Sequence, residues 1–221
     1  MSTRYSIVLI PEPSFTARAY RARQLICGQY ACWAAEMHMV HLALTDYFPC
    51  PEDRVAALSA GLDTVAQQNR NRYERLTLFH KGVTTSADLP GHIYLDFTVG
   101  PYTRQSSPQW NVLALRNDVM AMLGQVHGAD PAPQTTQAPQ SSNEDFQPKI
   151  YLMQHARLPE TVFESAVDFA REVAHQLEIP DNTHAWRLML VRFQSVAAGD
   201  DWSNGRWATD LSWNIVSAHP V

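Results

Sequence analysis

Hydrophobic and polar side chains alternate along the stretch Met-Val-His-Leu-Ala-Leu-Thr, at positions 39–45. In a strand, successive side chains point to opposite faces, so the alternation predicts a strand with one buried face. Val40 and Leu42 belong to the apolar face, which we expect to lie in the core. The opposite face carries the imidazole of His41 and the hydroxyl of Thr45. Such a face is typical of the wall of a groove.

A similar pattern returns 108 positions later, the separation between His41 and Lys149. In both places a strand, a short loop and an amphipathic helix opened by Pro-Glu follow one another. The aligned segments are 41–44 with 149–152, Pro51-Glu52 with Pro159-Glu160, and 65–68 with 173–176. A common offset at three landmarks indicates an internal duplication, and chance agreement between common residues is the alternative.

The remaining periodicity predicts strands and helices that alternate in two comparable halves. The predicted strands are 5–10, 74–80, 92–99, 110–115, 186–194 and 207–216, and the predicted helices are 15–27, 117–126 and those after Pro51 and Pro159. This alternation predicts an α+β fold over residues 1–221, a single bilobal and duplicated domain. We expect two antiparallel-type sheets that face a central cleft, with the helices outside.

Residues 128–148 interrupt this alternation with a run of Pro, Gln, Ser, Thr and Ala that contains almost no large apolar side chain. Segments of this composition bury too little apolar surface to pack against a core. We interpret the run as a flexible insertion between two elements, without a chemical role.

Composition and charge narrow the class of protein. A hydrophobic content of 45% supports a core, and a net charge of −5 argues against general nucleic-acid coating, leaving a small phosphorylated ligand possible. Cys27, Cys32 and Cys50 form no Cys-x-x-Cys pair and are odd in number, as is typical of a reducing cytoplasm. The apolar run at 7–10 is too short for a signal or membrane segment. We therefore expect a cytoplasmic protein without a membrane partner.

The spacing of histidines gives no metal site. His38 and His41 are three positions apart, a spacing that sends strand side chains to opposite faces, and no His-x-His pair is present. The sequence also lacks a phosphate loop of the Walker type and a Gly-x-Ser-x-Gly elbow. We expect neither a metal nor a cofactor.

Short motifs along most of the chain resemble those of a known superfamily in order and spacing. They are the opening strand 4–11, His41-Leu-Ala-Leu, the segment 148–152 with Lys149-Ile-Tyr-Leu, the late strand 188–193 and the ending 210–213. The sequence resembles the two-histidine phosphoesterase superfamily, which includes RNA 2′,3′-cyclic phosphodiesterases once called 2′-5′ RNA ligases. The resemblance implies two lobes, each presenting a histidine and a hydroxyl to a shared cleft.

Three of the four positions that the resemblance makes functional carry unusual residues here. His41 is kept, but Ala43 stands where Thr or Ser is expected, Lys149 replaces the second histidine, and Tyr151 replaces the second hydroxyl. Lysine, with an ordinary pKa of about 10.4, exchanges protons poorly near neutral pH. Losing a general acid typically lowers a rate by roughly 10²–10⁴. Phosphate binding is therefore easier to preserve than hydrolysis.

Two other histidines are candidates to replace the one that is missing at position 149. His155 shares a strand face with Lys149, but six residues of strand would place it about 20 Å away. His92 opens a motif-like Gly-His-Ile-Tyr-Leu, yet it lacks a Pro-Glu helix behind it. We interpret His92 as an ordinary strand residue.

These observations support three hypotheses. In the first, the protein is a divergent phosphodiesterase for a 2′,3′-cyclic phosphate or a 2′-5′ linkage at an RNA or nucleotide end. His41 then acts as base or acid, Lys149 stabilises negative charge, and Tyr151 donates to phosphate. In the second, the same residues bind a phosphorylated ligand without turnover. In the third, the cleft is vestigial and the protein works through a protein interface.

The resemblance also implies a role for each of two further side chains. Tyr5, on the first strand, would stack on a base, and its alternative role is that of a packed aromatic. Arg192 would hold phosphate, or else extend along the surface with its charge in water.

Overall fold

One antiparallel sheet connects the two segments, 41–44 and 149–152, that the 108-residue offset aligns. The computed structural model describes residues 1–72, 75–98, 112–127, 146–202 and 204–221. The strands are β1 (Ser2–Pro11), β2 (Leu42–Ala43), β3 (Thr77–Ser86), β4 (Leu89–Phe97), β5 (Lys149–Met153), β6 (Asn182–Ser195) and β7 (Ser212–Pro220). Their order is β2-β1-β6-β3-β4-β5, with β7 paired to β6.

Strand β6 joins the two halves of this sheet. Over most of its length β6 pairs with β1 on one side and β7 on the other. It meets β3 only through the pairs of Thr77 with His184, Leu78 with Thr183, and Phe79 with Asn182. The predicted α+β class is therefore confirmed, and the two predicted sheets are joined by this short ladder.

The two segments aligned by the 108-residue offset lie at opposite ends of the strand order. Strands β2 and β5 are the first and last members of that order. They nevertheless contact each other, although they do not pair, so the sheet curves without closing. The curvature brings residues 41–44, here called the first motif segment, beside residues 149–152, the second motif segment.

Four α-helices in the described chain cover the sheet. They are α1 (Pro13–Tyr30), α2 (Val55–Arg72), α3 (Val112–His127) and α4 (Glu160–Gln176), and short 3₁₀ helices span Trp33–Met37, Glu52–Arg54, Gly199–Trp202 and Arg206–Thr209. Helix α1 packs on β5 and α4, whereas α2 packs on α3 and β7. As the offset predicts, α4 begins directly after Pro159, and a 3₁₀ turn after Pro51 leads into α2.

Helix α1 buries one face at the spacing expected of an amphipathic helix. Phe15, Ala19, Ala22 and Ile26 are fully buried, and so is Arg23 on the same face. A guanidinium on an otherwise apolar helix face needs polar partners in the interior. Those partners are the backbone carbonyls of His38, just before the first motif segment, and of Tyr151 in the second.

Several predicted boundaries are wrong, including the end of α1, the start of α3 and the start of β7. Helix α1 runs through Gly28, the predicted stop, and is ended by Ala31 in the left-handed region, with a φ of 51°. The apolar run 110–115 was predicted as a strand, but residues 112–115 open helix α3. Short apolar runs fit a buried helix as well as a strand. Trp207 belongs to a 3₁₀ helix, because β7 begins only at Ser212.

Most of the predicted insertion at 128–148 lies outside the described residues. Its last part is described, and Phe146 is buried there beneath the guanidinium of Arg116, 4.6 Å from the ring centre. Among the helices of the described chain, none is long and apolar enough to cross a membrane.

Candidate functional site

His41 lies directly before β2, on the half-buried face that alternation predicts. Val40, Leu42 and Leu44 are at most 3% exposed, whereas His41 and Thr45 are half-buried. Only Leu42 and Ala43 join the ladder with β1, but the backbone of Leu44 also donates to the carbonyl of Ile7 at 2.9 Å. The alternation of burial thus extends beyond the paired residues.

The surroundings of His41 hold its imidazole in the neutral form. Its Nδ1 is 2.8 Å from the carbonyl oxygen of Met39, which can only accept, so Nδ1 carries the proton and Nε2 keeps its lone pair. Burial lowers the pKa of His41 to about 4, the hydrogen bond to Met39 opposes this, and the nearby charge of Arg23 lowers it further. At neutral pH, Nε2 of His41 is therefore a proton acceptor.

His38, which the sequence placed on the opposite face from His41, is its neighbour. The two ring centres are 5.3 Å apart. The prediction failed because a 3₁₀ helix ends at Met37 and the chain forms no regular strand before Leu42, so the rule of alternate faces does not apply. Burial holds the pKa of His38 well below its ordinary value, with further lowering by His41.

Lys149 and Tyr151 lie two positions apart on β5, and both are half-buried. The Lys149 ammonium lies 4.6 Å from the centre of the Tyr94 ring, and burial lowers its pKa while Asp96 opposes the shift. Burial and the neighbouring Tyr94 and Asp46 raise the pKa of Tyr151 to about 12. Tyr151 therefore remains a phenol and can donate a hydrogen bond.

A continuous row of side chains, here called the aromatic belt, connects the two motif segments. In order, it consists of Lys149, Tyr94, Tyr151, His92, His155, Trp207, His38 and His41. The first separation, from ammonium to ring centre, is 4.6 Å, and the following ring-centre separations are 5.9, 5.6, 4.5, 5.6, 5.2 and 5.3 Å. Four of its members are histidines.

His155 belongs to this belt, although strand spacing excluded it as a neighbour of the site. Strand β5 ends at Met153, and His155 has a φ of 51°, so the chain turns instead of continuing for the expected distance. The turn fits tightly against Gly205, where an added Cβ would lie 2.4 Å from Cδ2 of His155. Burial, together with the charges of His92 and Arg157, lowers the pKa of His155 to about 4.

Sequence reasoning missed Trp207, and it interpreted His92 as an ordinary strand residue, which lies in β4. Trp207 is buried between the rings of His38 and His155. The Asn-Gly pair at 204–205 predicts a turn, but no sequence rule places that turn on His155. His92 is buried and its ring contacts both His155 and Tyr151.

Arg23 ties the two motif segments together and was also missed. Its Nη1 donates to the carbonyl of His38 at 2.7 Å, while Nε and Nη2 donate to the carbonyl of Tyr151 at 3.0 and 2.8 Å. Burial lowers its pKa to about 10, so the guanidinium stays charged at neutral pH. The available signal was an arginine on the apolar face of helix α1.

The other three site residues predicted from the sequence are Tyr5, Arg192 and Thr45, and each forms hydrogen bonds within the protein. Tyr5 is 1% exposed, and its hydroxyl donates to Glu52 at 3.2 Å. Arg192 pairs with Tyr5 across β1 and β6, donates to Asn214 at 3.0 Å and lies 3.9 Å from Glu52. The hydroxyl of Thr45 accepts from the backbone of Ile7 at 2.9 Å. The structure thus groups Tyr5 and Arg192 around Glu52.

The described residues contain no group of three or more His, Cys, Asp or Glu side chains that could hold a metal ion. The belt instead combines neutral imidazoles, two phenols, an indole and one half-buried ammonium. Such a set can accept a proton at His41, donate hydrogen bonds and attract an anion at Lys149.

Comparison with solved structures finds similar folds that cover nearly the whole chain. Escherichia coli LigT in complex with 3′-AMP has a TM-score of 0.51 at 13% identity, over 99% of this chain and 98% of that one. A structure described as a phosphoesterase has a TM-score of 0.48 at 13% identity, over 100% and 99%. Kluyveromyces marxianus Usb1 has a TM-score of 0.39 at 11% identity, over 99% and 98%.

The comparison with LigT shows that this chain has the same fold, along its full length. LigT is a two-histidine phosphoesterase, so the resemblance found in the sequence is confirmed at the level of the fold. No family model matches the sequence, and a search of the curated proteins finds no match.

Proposed function

We propose that the protein is a slow, divergent phosphodiesterase that uses His41 as its general base on a nucleoside 2′,3′-cyclic phosphate or a 2′-5′ linkage at an RNA end. The proposal depends mainly on the state of His41, whose Nδ1 is bound to the Met39 carbonyl and whose pKa is lowered to about 4. A neutral imidazole with its Nε2 lone pair free is the form that a general base needs at pH 7.

The reaction can be written with the residues of the two motif segments. For a cyclic phosphate, Nε2 of His41 takes a proton from water as the water oxygen attacks phosphorus. The bond from phosphorus to one ribose oxygen breaks, Lys149 offsets the added negative charge, and Tyr151 donates to a phosphoryl oxygen. The leaving ribose oxygen takes its proton from water, because position 149 carries no imidazole, and His41 then releases its proton to solvent. Turnover is slow because a pKa of about 4 makes His41 a weak base and because position 149 carries no imidazole to act as the acid.

A second candidate function is the binding of a phosphorylated ligand without turnover. It is favoured by Lys149 and Tyr151, which keep a cation and a hydrogen-bond donor on one strand where the resemblance implies a histidine and a hydroxyl. Binding needs only these donors, whereas hydrolysis also needs proton transfer.

Hydrolysis of nucleoside 2′,3′-cyclic phosphates and short 2′-5′ oligonucleotides tests the first candidate. We expect His41→Ala to reduce turnover by at least about 100-fold, as for loss of a general base. His175→Ala is the matched control, because His175 is exposed in the last turn of α4. Turnover that survives His41→Ala would exclude the proposed mechanism.

Calorimetry with nucleoside 3′-monophosphates tests the second candidate in parallel. Lys149→Met should weaken binding by roughly 10- to 100-fold, the effect of losing a charged hydrogen bond. Lys81→Met is the control, since Lys81 is the only other lysine and lies exposed on β3. Binding without turnover would favour the second candidate, and equal effects of the two lysine variants would count against a site at Lys149.

A further inference from the structure

A pocket of about 350 Å³ opens beside the aromatic belt, between the end of helix α1 and the loop that follows β5. Its walls are residues 30–34 on one side and Gln154, His155, Arg157 and Leu158 on the other. The volume lies within the range of pockets that bind small molecules, about 300–1,000 Å³. None of the six site residues predicted from the sequence lines it, so it is separate from the motif positions.

Trp33 provides an exposed aromatic surface in this pocket. Its side chain is 54% exposed, which is unusual for the largest apolar side chain. Planar rings of ligands stack on such surfaces, and nucleobases do so regardless of their identity.

Gln154 provides an unsatisfied polar group. It is only 7% exposed, and its Oε1 has no hydrogen-bond partner among the residues that the structure describes. A terminal amide turns readily about its last torsion, so either its carbonyl or its NH₂ can face the pocket. A primary amide offers a donor beside an acceptor, the pattern that pairs with the N6 and N7 edge of adenine.

Arg157 provides a cation at the rim. It is exposed, and it forms no ion pair with any described residue. A guanidinium in this position matches the geometry of a phosphate group. The pocket therefore combines a stacking surface, an amide and an anion-binding group.

The backbone of both walls adopts an unfavourable conformation. Ala31 and His155 each have a φ of 51°, and in the described chain they are two of the three non-glycine residues with positive φ. At Ala31 the left-handed conformation ends helix α1, as is common at helix ends, whereas at His155 it belongs to the turn after β5. Here they shape the two walls of one pocket.

We propose that this pocket binds a nucleotide with an adenine-type base. The base stacks on Trp33, its edge pairs with the amide of Gln154, and the phosphate lies against Arg157. The inference goes beyond the proposed function, because it requires neither His41 nor Lys149.

The test follows the indole N–H signal of Trp33 by NMR during titration of ¹⁵N-labelled protein with AMP. Trp33→Phe assigns the signal, so that binding here is distinguished from binding at the motif segments. Ribose 5-phosphate, which lacks the base, is titrated in the same way. AMP should shift the Trp33 signal in a saturable manner, and ribose 5-phosphate should bind at least about tenfold more weakly.

Variants then separate the three contacts. Trp33→Ala should weaken AMP binding about 5- to 150-fold, the range for loss of one base stack. The matched control is Trp186→Ala, because Trp186 is 42% exposed and carries the Arg187 guanidinium 4.5 Å from its ring centre, but does not line the pocket. Gln154→Leu, which removes the unsatisfied oxygen while keeping the volume similar, should weaken AMP but leave ribose 5-phosphate unchanged.

Three results would overturn the proposal. They are a Trp33 signal that does not respond to AMP at millimolar concentration, ribose 5-phosphate binding as tightly as AMP, and equal losses in Trp33→Ala and Trp186→Ala. Because His41 and Lys149 do not line this pocket, an unchanged AMP response in His41→Ala and Lys149→Met supports a separate site even if the proposed hydrolysis is absent.

Discussion

Arg23 is the residue through which the two motif segments are joined most directly. Its guanidinium is 1% exposed and donates to the carbonyl groups of both His38 and Tyr151. Tyr151 lies on a strand at the end of the sheet, where outward carbonyls lack a neighbouring strand. Arg23 satisfies that carbonyl and at the same time fixes the chain that leads to His41.

Replacing Arg23 by Met should therefore destabilise the fold. We expect a loss of about 2–4 kcal/mol in the free energy of unfolding, because two buried carbonyl groups lose a charged donor. Urea unfolding measures the change. Arg21→Met is the control, since Arg21 is exposed on the same helix, and equal stability of the two variants would contradict the assigned role.

At the residue scale, the sequence predicted which side chains are buried better than it predicted which side chains contact each other. Alternation correctly placed Val40, Leu42 and Leu44 in the core and His41 on the more open face. It failed for His155, because strand geometry was applied beyond the last residue of a strand. A positive φ at a histidine has no reliable signature in one sequence.

At the element scale, the turn after β5 depends on a close approach to β4. The backbone N–H of Ala156 donates to the carbonyl of Gly91 at 3.0 Å. An added Cβ at Gly91 would lie 2.3 Å from the carbonyl oxygen of Ala156, and Gly91 has a φ of 74°. The glycine is therefore needed both for conformation and for space. This contact sets the position of His155.

Gly91→Ala should cost more stability than Gly82→Ala. Gly82 has a φ of 98° but no atom within 4 Å of an added Cβ, so its substitution measures only the conformational cost. We expect Gly91→Ala to lose roughly 1–3 kcal/mol more in unfolding free energy, as overpacking does. Comparison of chemical denaturation midpoints tests this, and equal losses would show that the close approach is unimportant.

The predicted elements were correct where periodicity was long and failed where it was short. Leu58, Leu62 and Val65 form a buried face of α2, at the spacing of the amphipathic helix that was predicted after Pro51. The six-residue run at 110–115 contained too few residues to distinguish a strand from the start of α3. The order of the elements was sufficient to predict the fold class. The fold class depends on how strands and helices alternate, and this alternation is unchanged when a boundary shifts by a few residues.

At the scale of the whole molecule, the fold holds the four imidazoles of the aromatic belt in the neutral form. Burial lowers the pKa of His38, His41, His92 and His155, to about 4 for His41 and His155. The unfolded chain, with ordinary values near 6.5, therefore binds protons at a higher pH than the folded chain does. These four groups favour folding above pH 6.5, and that contribution is lost as the pH falls toward 4.

Stability should accordingly decrease between pH 6.5 and 5. Each of these histidines contributes at most about 1.4 kcal/mol per pH unit to the slope of unfolding free energy. His155→Gln should reduce this slope by up to about 1.4 kcal/mol per pH unit, which corresponds to one proton. His175→Gln, at an exposed position, should leave the slope unchanged. Urea unfolding at several pH values measures the slope, and an unchanged slope in His155→Gln would contradict the neutral state of this residue.

The position of Trp207 between two histidine rings has an optical consequence. Its ring centre lies 5.2 Å from that of His38 and 5.6 Å from that of His155. A protonated imidazole quenches the fluorescence of an adjacent indole by accepting an electron, whereas a neutral imidazole quenches it far less. The emission of this tryptophan thus reports whether the two histidines have taken up a proton, and the protein contains an intrinsic fluorescent indicator of the charge within its aromatic belt.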